Sequence, residues 1–158
     1  MSRTAHVITV SDRAASGVRE DLSGPAGADL LAAAGWLTRT SIVPDEAALI
    51  GSAIRSSVAD GARLVVTTGG TGVGPRDVTP EATLPLLDPV LPGIAEELRR
   101  VGAVKIPTAL LSRGVAGIYE GALVVNLAGS PGAVRDGIPV ILSLVDHVLS
   151  QRAGGDHA

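Results

Sequence analysis

Four short polar or glycine-rich segments contain the residues of this chain that could do chemistry. Each follows directly on an apolar run, and the segments cover residues 11–13, 44–46, 67–72 and 128–131. If the apolar runs are parallel strands, all four segments come to one edge of a sheet, where open α/β sheets bind ligands. The sequence therefore predicts one polar site that is assembled from distant loops.

The segment 67–72 is the most informative of the four. Hydroxyl groups alternate in it with glycines, at Thr68, Gly69, Gly70, Thr71 and Gly72. Glycines let backbone N–H groups approach a ligand and form a cradle for an anion such as phosphate. The segment is not a Walker loop, because Gly-Lys-Ser/Thr is missing, and Pro75 interrupts the pattern G-x-G-x-x-G. A flexible turn between strand and helix is the alternative.

Asp45 and Asp77 are the two carboxylates that we expect to face this cradle, and we predict that they are catalytic. Two carboxylates near a triphosphate would hold Mg²⁺, which usually takes one or two protein carboxylates together with phosphate oxygens and water. The metal would shield the attacked phosphate and its leaving group. The alternatives are a helix cap at Asp45 and a turn at Asp77, and neither excludes catalysis.

The other candidates for ligand binding are hydroxyls, charged groups and the start of a predicted helix. They are Ser11, Asp12, Arg13, Ser112, Gly129, Ser130 and Pro131. Ser11 and Arg13 would bring a hydroxyl and a cation near phosphate, unless Asp12 pairs with Arg13 or with another surface group. Helix N-termini bind anions through free N–H groups, although a plain helix start explains residues 129–131 equally well. A simple turn is the alternative for Ser112.

Composition excludes several classes of function. The chain has no Cys, which excludes disulfides, thiolate metal sites and cysteine nucleophiles. A formal net charge of -3 and an aromatic content of 1% argue against nucleic-acid binding. The three histidines show neither metal-ligand spacing nor a Ser–His–Asp pattern. Because neither a signal peptide nor an apolar run of about 18 residues is visible, we expect a cytoplasmic protein that spans no membrane.

Predicted strands and helices alternate along the chain. The apolar, β-branched runs predict strands at 5–10, 37–43, 64–68, 115–119 and 122–126. Helices are predicted at 25–34, 46–60, 79–87, 92–102 and 130–152, with Ser23 as the first cap and a kink or break at Pro139. This alternation predicts an α/β fold, a three-layer α/β/α sandwich with a mostly parallel central sheet. We expect one domain over residues 1–152 and a disordered tail over 153–158.

A resemblance to a known family runs from Val7 to about Gln151. It is carried by the segments ITVSDRAASGV, PDE, TTGGTGVGPRDVTPEAT, PGIAEELR, LSRGVAG and VNLAGSPGAV. The chain resembles the Mog/MoaB family of molybdenum-cofactor biosynthesis proteins, which includes the gephyrin G domain. It departs from the family in the last loop, where Ala128 stands in place of a frequent Pro.

The resemblance implies a molybdopterin-binding α/β/α fold that is commonly a homotrimer and sometimes a larger assembly, such as a hexamer. Active members are adenylyltransferases that join the AMP of Mg-ATP to the terminal phosphate of molybdopterin and release pyrophosphate. Asp45 and Asp77 match the acidic residues tied to Mg-ATP and catalysis, and residues 68–72 with Gly129 and Ser130 match the loops that bind nucleotide and pterin. The implied protein partners are other enzymes of the pathway, such as the metal-insertion protein.

Two other functions stay open at this point. The protein can hold molybdopterin or hand it on without any transfer, or it can hydrolyse a nucleotide on a related fold. Pterin binding that is indifferent to ATP would indicate the first function, although Asp45 and Asp77 argue against it. Cleavage of ATP or of a dinucleotide without pterin would indicate the second function. A pure scaffold would leave the four polar segments without a role.

Overall fold

The structure, a computed structural model, describes residues 2–156. Its strands are β1 (Thr4–Val10), β2 (Leu37–Val43), β3 (Leu64–Thr68), β4 (Ala116–Tyr119) and β5 (Ala122–Leu127). Its α-helices are α1 (Asp12–Ala15), α2 (Ser23–Ala33), α3 (Ala47–Ala59), α4 (Thr79–Thr83), α5 (Pro92–Lys105) and α6 (Pro131–Arg152). Short 3₁₀ helices follow α4 at Leu84–Leu86 and α5 at Pro107–Leu111.

The strands form one sheet in the order β2-β1-β3-β5-β4. β1 pairs in parallel with β2 and with β3, and β3 pairs in parallel with β5. β4 is antiparallel to β5, since a tight turn joins the two strands. The prediction of a mostly parallel sheet is confirmed. Because β1, β2, β3 and β5 point the same way, the loops that follow them all begin at one edge of the sheet.

Helices cover both faces of the sheet and complete the three-layer sandwich that the alternation of elements predicted. On one face, α2, α5 and α6 pack against the sheet, with Leu31 and Ile138 fully buried. On the other face, α3 contributes Ile50 to a second buried cluster. Strand β1 contributes to both clusters because its successive side chains point to opposite faces of the sheet. Val7 lies in the first cluster and Ile8 in the second.

The predicted cap of the first long helix is wrong. Ser23 is the first residue of α2, and its hydroxyl donates a hydrogen bond to the carbonyl of Gly129 at 2.8 Å. The carboxylate of Asp21 accepts the N–H of Gly24 at 3.0 Å instead, which satisfies one of the free donors in the first turn. Ser23 therefore ties the start of α2 to the loop after β5.

The last helix runs without a break through Pro139, so a break at this proline is not observed. A proline inside a helix removes one N–H donor and crowds the preceding turn. Ile138 and Ile141, on both sides of Pro139, are fully buried in the core. We infer that this packing keeps the two halves of α6 in one helix.

The residues that directly follow α6 form hydrogen bonds with its last turn. The N–H groups of Gly154 and Gly155 donate to the carbonyls of Gln151 and Ser150 at 3.0 and 2.9 Å. Residues 157–158, the last of the predicted tail, lie outside the described residues, and the division into one domain and a tail stays a prediction. No helix within residues 2–156 is both long enough and apolar enough to span a membrane.

Candidate functional site

The four polar segments meet at the carboxyl edge of the sheet, where they line an open cavity of about 220 Å³. The predicted site residues that line this first cavity are Ser11, Asp45, Thr68, Gly69, Gly70, Asp77, Gly129 and Pro131. These residues come from the loops after β1, β2, β3 and β5. The geometry that a shared anion pocket requires is therefore present, while the ligand roles of the individual residues stay predictions.

A second cavity, of about 360 Å³, adjoins the first at the glycine turn, which we define as residues 69–72. Gly69, Gly70, Asp77 and Gly129 line both cavities. Of these two cavities, the predicted residues Thr71, Gly72 and Ser112 line only the second, together with Val73, Thr108 and Leu111. The second cavity is thus the less charged of the two, and Asp77 lies where they meet.

The backbone of the glycine turn has no room for side chains at its first two positions. Gly69 has φ +108°, and a Cβ there would lie 2.2 Å from the carbonyl oxygen of Val10. Gly70 has φ +66°, and a Cβ there would lie 2.3 Å from Oγ1 of Thr79 and 3.0 Å from Oδ1 of Asp45. Both the positive φ angles and the close contacts require glycine.

The glycine turn offers free donors to a ligand. Among the residues that the structure describes, the N–H groups of Gly70, Thr71 and Gly72 donate to no protein acceptor. The turn is nevertheless held in place, because the hydroxyl of Thr79 donates to the carbonyl of Gly69 at 2.9 Å. Successive free N–H groups on a fixed turn form a concavity that binds anions. These contacts favour an anion cradle over a flexible turn.

Asp12 and Asp45 bind each other's backbone across the loops after β1 and β2. The N–H of Asp12 donates to Oδ2 of Asp45 at 2.9 Å, and the N–H of Asp45 donates to Oδ1 of Asp12 at 2.9 Å. Asp45 does not cap α3, whose N-terminal flanking residue is Glu46. The other oxygen of Asp45, Oδ1, lies close to Gly70. The same carboxylate therefore contacts the backbone of Asp12 and the wall of the cavity.

Asp12 pairs with Arg76 and not with Arg13. Nε and Nη2 of Arg76 donate to the Asp12 carboxylate at 3.0 and 3.1 Å. This hydrogen bonding by Arg76 is the main reason that the pKa of Asp12 lies below its ordinary value. Arg13 is exposed and lines neither cavity, and Asp12 lines neither. The arginine that lines the first cavity is Arg19, which the sequence analysis did not include.

Asp77 organises a turn and also faces the cavities. Its Oδ2 accepts the N–H of Gly74 at 3.0 Å, which confirms the predicted turn. A Cβ on Gly72 would lie 2.9 Å from the same oxygen, so the carboxylate lies against the glycine turn. Asp77 therefore forms a turn and also faces both cavities, while its catalytic role stays a prediction.

Three of the predicted hydroxyl ligands also have structural partners. Oγ1 of Thr68 donates to the carbonyl of Ala128 at 2.9 Å and ties the loop after β3 to the loop after β5. Oγ of Ser130 caps α6 by accepting the N–H of Ala133 at 3.0 Å, and Oγ of Ser11 caps α1. Because the two serines accept in these bonds, their O–H groups can still donate to a ligand.

The structure adds residues to the site that the sequence analysis missed. The first cavity also contains Arg19, Glu20, Asp21, Leu22 and Ser23. The loop before α2 has no apolar periodicity, but Asp21 stands three residues before Gly24, which is the spacing of a helix cap. That cap is the local signal that could have placed this loop at the edge of the sheet.

Asp45 and Asp77 fit a divalent cation. Burial raises the pKa of Asp45 above its ordinary value, and the negative charges of Asp12 and Asp77 raise it further, while the N–H of Asp12 acts in the opposite direction. Within residues 2–156, no group of three or more His, Cys, Asp or Glu side chains is placed to hold a metal. Two carboxylates at one cavity suit Mg²⁺, which takes its remaining ligands from phosphate and water.

The variant Asp45→Asn is expected to be at least as stable as the wild type at pH 7. A carboxyl whose pKa is raised on folding binds its proton more tightly in the native state, so its ionised form lowers the free energy of unfolding at neutral pH. Asn lacks this charge but keeps an oxygen for the N–H of Asp12. The advantage in Tm at pH 7 should shrink as the pH falls, because the wild-type carboxyl, whose pKa is raised, then takes up its proton.

Thermal unfolding from pH 4 to 8 measures this difference between the variant and the wild type. Asp29→Asn, on the exposed side of α2, is the matched control. The quantity to compare is the Tm of Asp45→Asn minus the Tm of the wild type. If this difference is smaller at pH 7 than at pH 4, the ionised carboxylate stabilises the fold and the expectation is wrong.

A family model described as "Probable molybdopterin binding domain" matches residues 6–147. This chain belongs to that molybdopterin-binding domain family. The matched region contains both aspartates, the glycine turn and the N-terminus of α6.

Named relatives of this molybdopterin-binding domain agree with the family. This chain is 43% identical over 154 residues to a molybdenum cofactor biosynthesis bifunctional protein of Synechococcus elongatus. The match covers 97% of this chain and 48% of that protein. This chain is also 40% identical over 134 residues to the molybdopterin adenylyltransferase of Escherichia coli, covering 82% and 69% of the two chains. The chain thus spans about half the length of the bifunctional relative.

The fold agrees with a solved structure as well. The crystal structure of a molybdopterin biosynthesis protein from Mycobacterium abscessus matches with a TM-score of 0.90 and 46% identity, covering 96% of each chain. The fold predicted from the alternation of elements is therefore also the fold of the family.

Proposed function

We propose that this protein adenylylates molybdopterin with ATP and releases pyrophosphate, as a step of molybdenum-cofactor biosynthesis. The observation that carries the proposal is that Asp45 and Asp77, from distant loops, line one cavity beside the glycine turn. Two adjoining cavities that share Asp77 suit a reaction of two substrates. The likeness to the E. coli molybdopterin adenylyltransferase supports the same activity.

The residues of the chain act by holding phosphate groups in position. The free N–H groups of the glycine turn, and the N–H of Gly132 in the first turn of α6, donate to phosphate oxygens. An oxygen of the molybdopterin phosphate forms a bond to the α-phosphorus of ATP while the bond from that phosphorus to the pyrophosphate oxygen breaks. No protein nucleophile is needed, so orientation and electrostatic stabilisation supply the rate.

Asp45 and Asp77 would hold Mg²⁺, which supplies neutralisation of the charge on the attacked phosphate and on the pyrophosphate that leaves. Without a cation, two carboxylates at this cavity would repel a triphosphate. Arg19 lines the same cavity and adds a fixed positive charge.

The proposal includes a homotrimer or hexamer that passes its product to the metal-insertion protein of the pathway. The resemblance to the Mog/MoaB family supports an assembly. So do apolar side chains at the surface, because Val104, Ile106 and Leu110 are 78%, 57% and 61% exposed. The cytoplasmic location stays a prediction.

The test is an assay that mixes the purified chain with molybdopterin, ATP and Mg²⁺. We expect adenylylated molybdopterin and pyrophosphate to appear in equal amounts. Absence of both products would reject the proposed adenylyltransferase activity. Cleavage of ATP without molybdopterin would favour the nucleotide hydrolase, and molybdopterin binding that is unaffected by ATP would favour the carrier protein.

A further inference from the structure

The loop that carries Asp77 is exposed along its middle. This loop, residues 72–77, joins the glycine turn to α4, and its middle residues 73–76 are exposed. At its tip, Arg76 pairs with Asp12, and both side chains of that pair are exposed, at 62% and 42%. Exposed ion pairs contribute little to stability, so this contact alone is a weak anchor.

Arg113, from the segment before β4, contacts both ends of the loop 72–77. Its Nε donates to the carbonyl of Gly72 at 2.8 Å, and its Nη2 donates to the carbonyl of Asp77 at 2.8 Å. Its backbone N–H donates to the carbonyl of Thr71 at 2.8 Å. Its Nη1 donates to the carboxylate of Glu81 on α4. One residue thus joins the start of the loop, its end and the helix that follows.

The chemistry of arginine suits this arrangement. The guanidinium is planar, and its N–H donors point in fixed directions, so two carbonyls bound to it are held at a fixed separation. Lysine presents a single mobile ammonium group, which cannot reproduce this geometry. Arg113 lines neither cavity, and its contacts to Gly72 and Asp77 are to backbone carbonyls. It therefore acts on the loop and not on a bound phosphate.

Arg113 is itself held from the opposite side. Nη1 of Arg99, on α5, donates to the carbonyls of Ser112 and Gly114 at 3.2 and 3.0 Å. These are the two residues that flank Arg113. A continuous set of hydrogen bonds therefore leads from α5, through residues 112–114, to the loop that carries Asp77.

We propose that Arg113 is a positioning residue, which holds the loop 72–77 so that the carboxylate of Asp77 faces the two cavities. Its effect on catalysis rests on the proposed adenylyltransferase function, whereas its effect on the loop does not. The competing explanation is a surface ion pair with Glu81. The side chains of Arg113 and Glu81 are 38% and 53% exposed, so such a pair would contribute little by itself.

The experiment compares four variants with the wild type: Arg113→Ala, Arg113→Lys, Glu81→Gln and Arg100→Ala. Arg100 is the matched control, because it is an arginine that is 67% exposed and is paired with Glu97 on α5. The measurements are kcat and KM for molybdopterin and ATP, and amide hydrogen exchange of residues 64–78. Hydrogen exchange reports the order of the loop without any substrate.

For Arg113→Ala we expect kcat to fall about 100-fold, since a displacement of about 1 Å in a catalytic group has an effect of that size. The KM for molybdopterin should change little. Amides of residues 72–78 should exchange faster while β3 stays protected. Arg113→Lys should recover only a small part of kcat, because one ammonium group cannot bind both carbonyls. Glu81→Gln should stay near the wild type, and Arg100→Ala should match it.

Three results would overturn the proposal. They are wild-type exchange of residues 72–78 in Arg113→Ala, full recovery of kcat in Arg113→Lys, and an equal loss of kcat in Glu81→Gln. If Arg113→Ala does not fold, Arg113→Lys carries the same comparison of exchange and kcat. If the wild type does not adenylylate molybdopterin, the proposed function fails, but faster exchange at residues 72–78 still supports the positioning role and unchanged exchange rejects it.

Discussion

Asp77→Asn is expected to lower kcat for molybdopterin adenylylation by about 10³-fold, the effect of removing one group that stabilises charge in a transition state. The fold should survive, because Asn has nearly the same shape and keeps an oxygen for the N–H of Gly74, now bound at 3.0 Å. Asn has no negative charge, so it would not hold the cation that we propose to offset the phosphate charge. Steady-state kinetics together with Tm measure both parts of the prediction.

Asp146→Asn is the matched control for this variant. Asp146 lies on α6, roughly 20 Å along the helix from its N-terminus at the cavity, and pairs with Arg3 on the surface. The substitution Asp146→Asn removes the same charge from the protein as Asp77→Asn, and it should leave kcat near the wild-type value. A wild-type rate in Asp77→Asn would exclude Asp77 from the mechanism, and an equal loss in both variants would point to net charge instead of the site.

Gly69→Ala is expected to lower the free energy of unfolding by about 3–5 kcal/mol, from backbone strain and overpacking together. The residue has φ +108°, and the new Cβ would lie 2.2 Å from the carbonyl oxygen of Val10. Val10 is the last residue of β1 and is buried, so its backbone has little freedom to move away. Urea unfolding measures the loss.

Gly61→Ala separates the two causes. Gly61 has φ +100°, but nothing lies within 4 Å of a Cβ there. This variant therefore carries only the cost of the left-handed backbone, about 1–2 kcal/mol. The additional loss in Gly69→Ala measures the clash with Val10. Equal losses in the two variants would show that the glycine turn can shift freely, which would weaken the case for a rigid anion cradle.

Much of the fold could be predicted from the sequence because its signals are local. The buried strand at Leu64–Thr68 is a short run of apolar and β-branched residues, and the helical spacing of Ile50 and Ile54 marks the buried face of α3. Alternating strands and helices then leave few architectures besides a parallel sheet covered on both faces. The cap predicted at Ser23, which is wrong, and the helix that continues through Pro139 without a break are cases in which tertiary contacts override a local preference.

The meeting of the four loops at one edge was also predictable, since it follows from parallel strands alone. Asp45, Asp77 and the glycine turn could be named on that basis. Arg19 was not predicted, because its loop has no regular pattern and the only local signal in it is the helix cap at Asp21.

The sequence by itself determined the order of the elements, the family and the edge of the sheet at which the site forms, because periodicity and strand direction are properties of nearby residues and of topology. Only the tertiary structure decided which side chains pair across that edge. Asp12 binds Arg76, 64 residues away, instead of the adjacent Arg13, and Arg113 holds the carbonyl of Gly72 from 41 residues away. Such partners depend on how separate loops pack against one another, to within the few tenths of an ångström that a hydrogen bond tolerates.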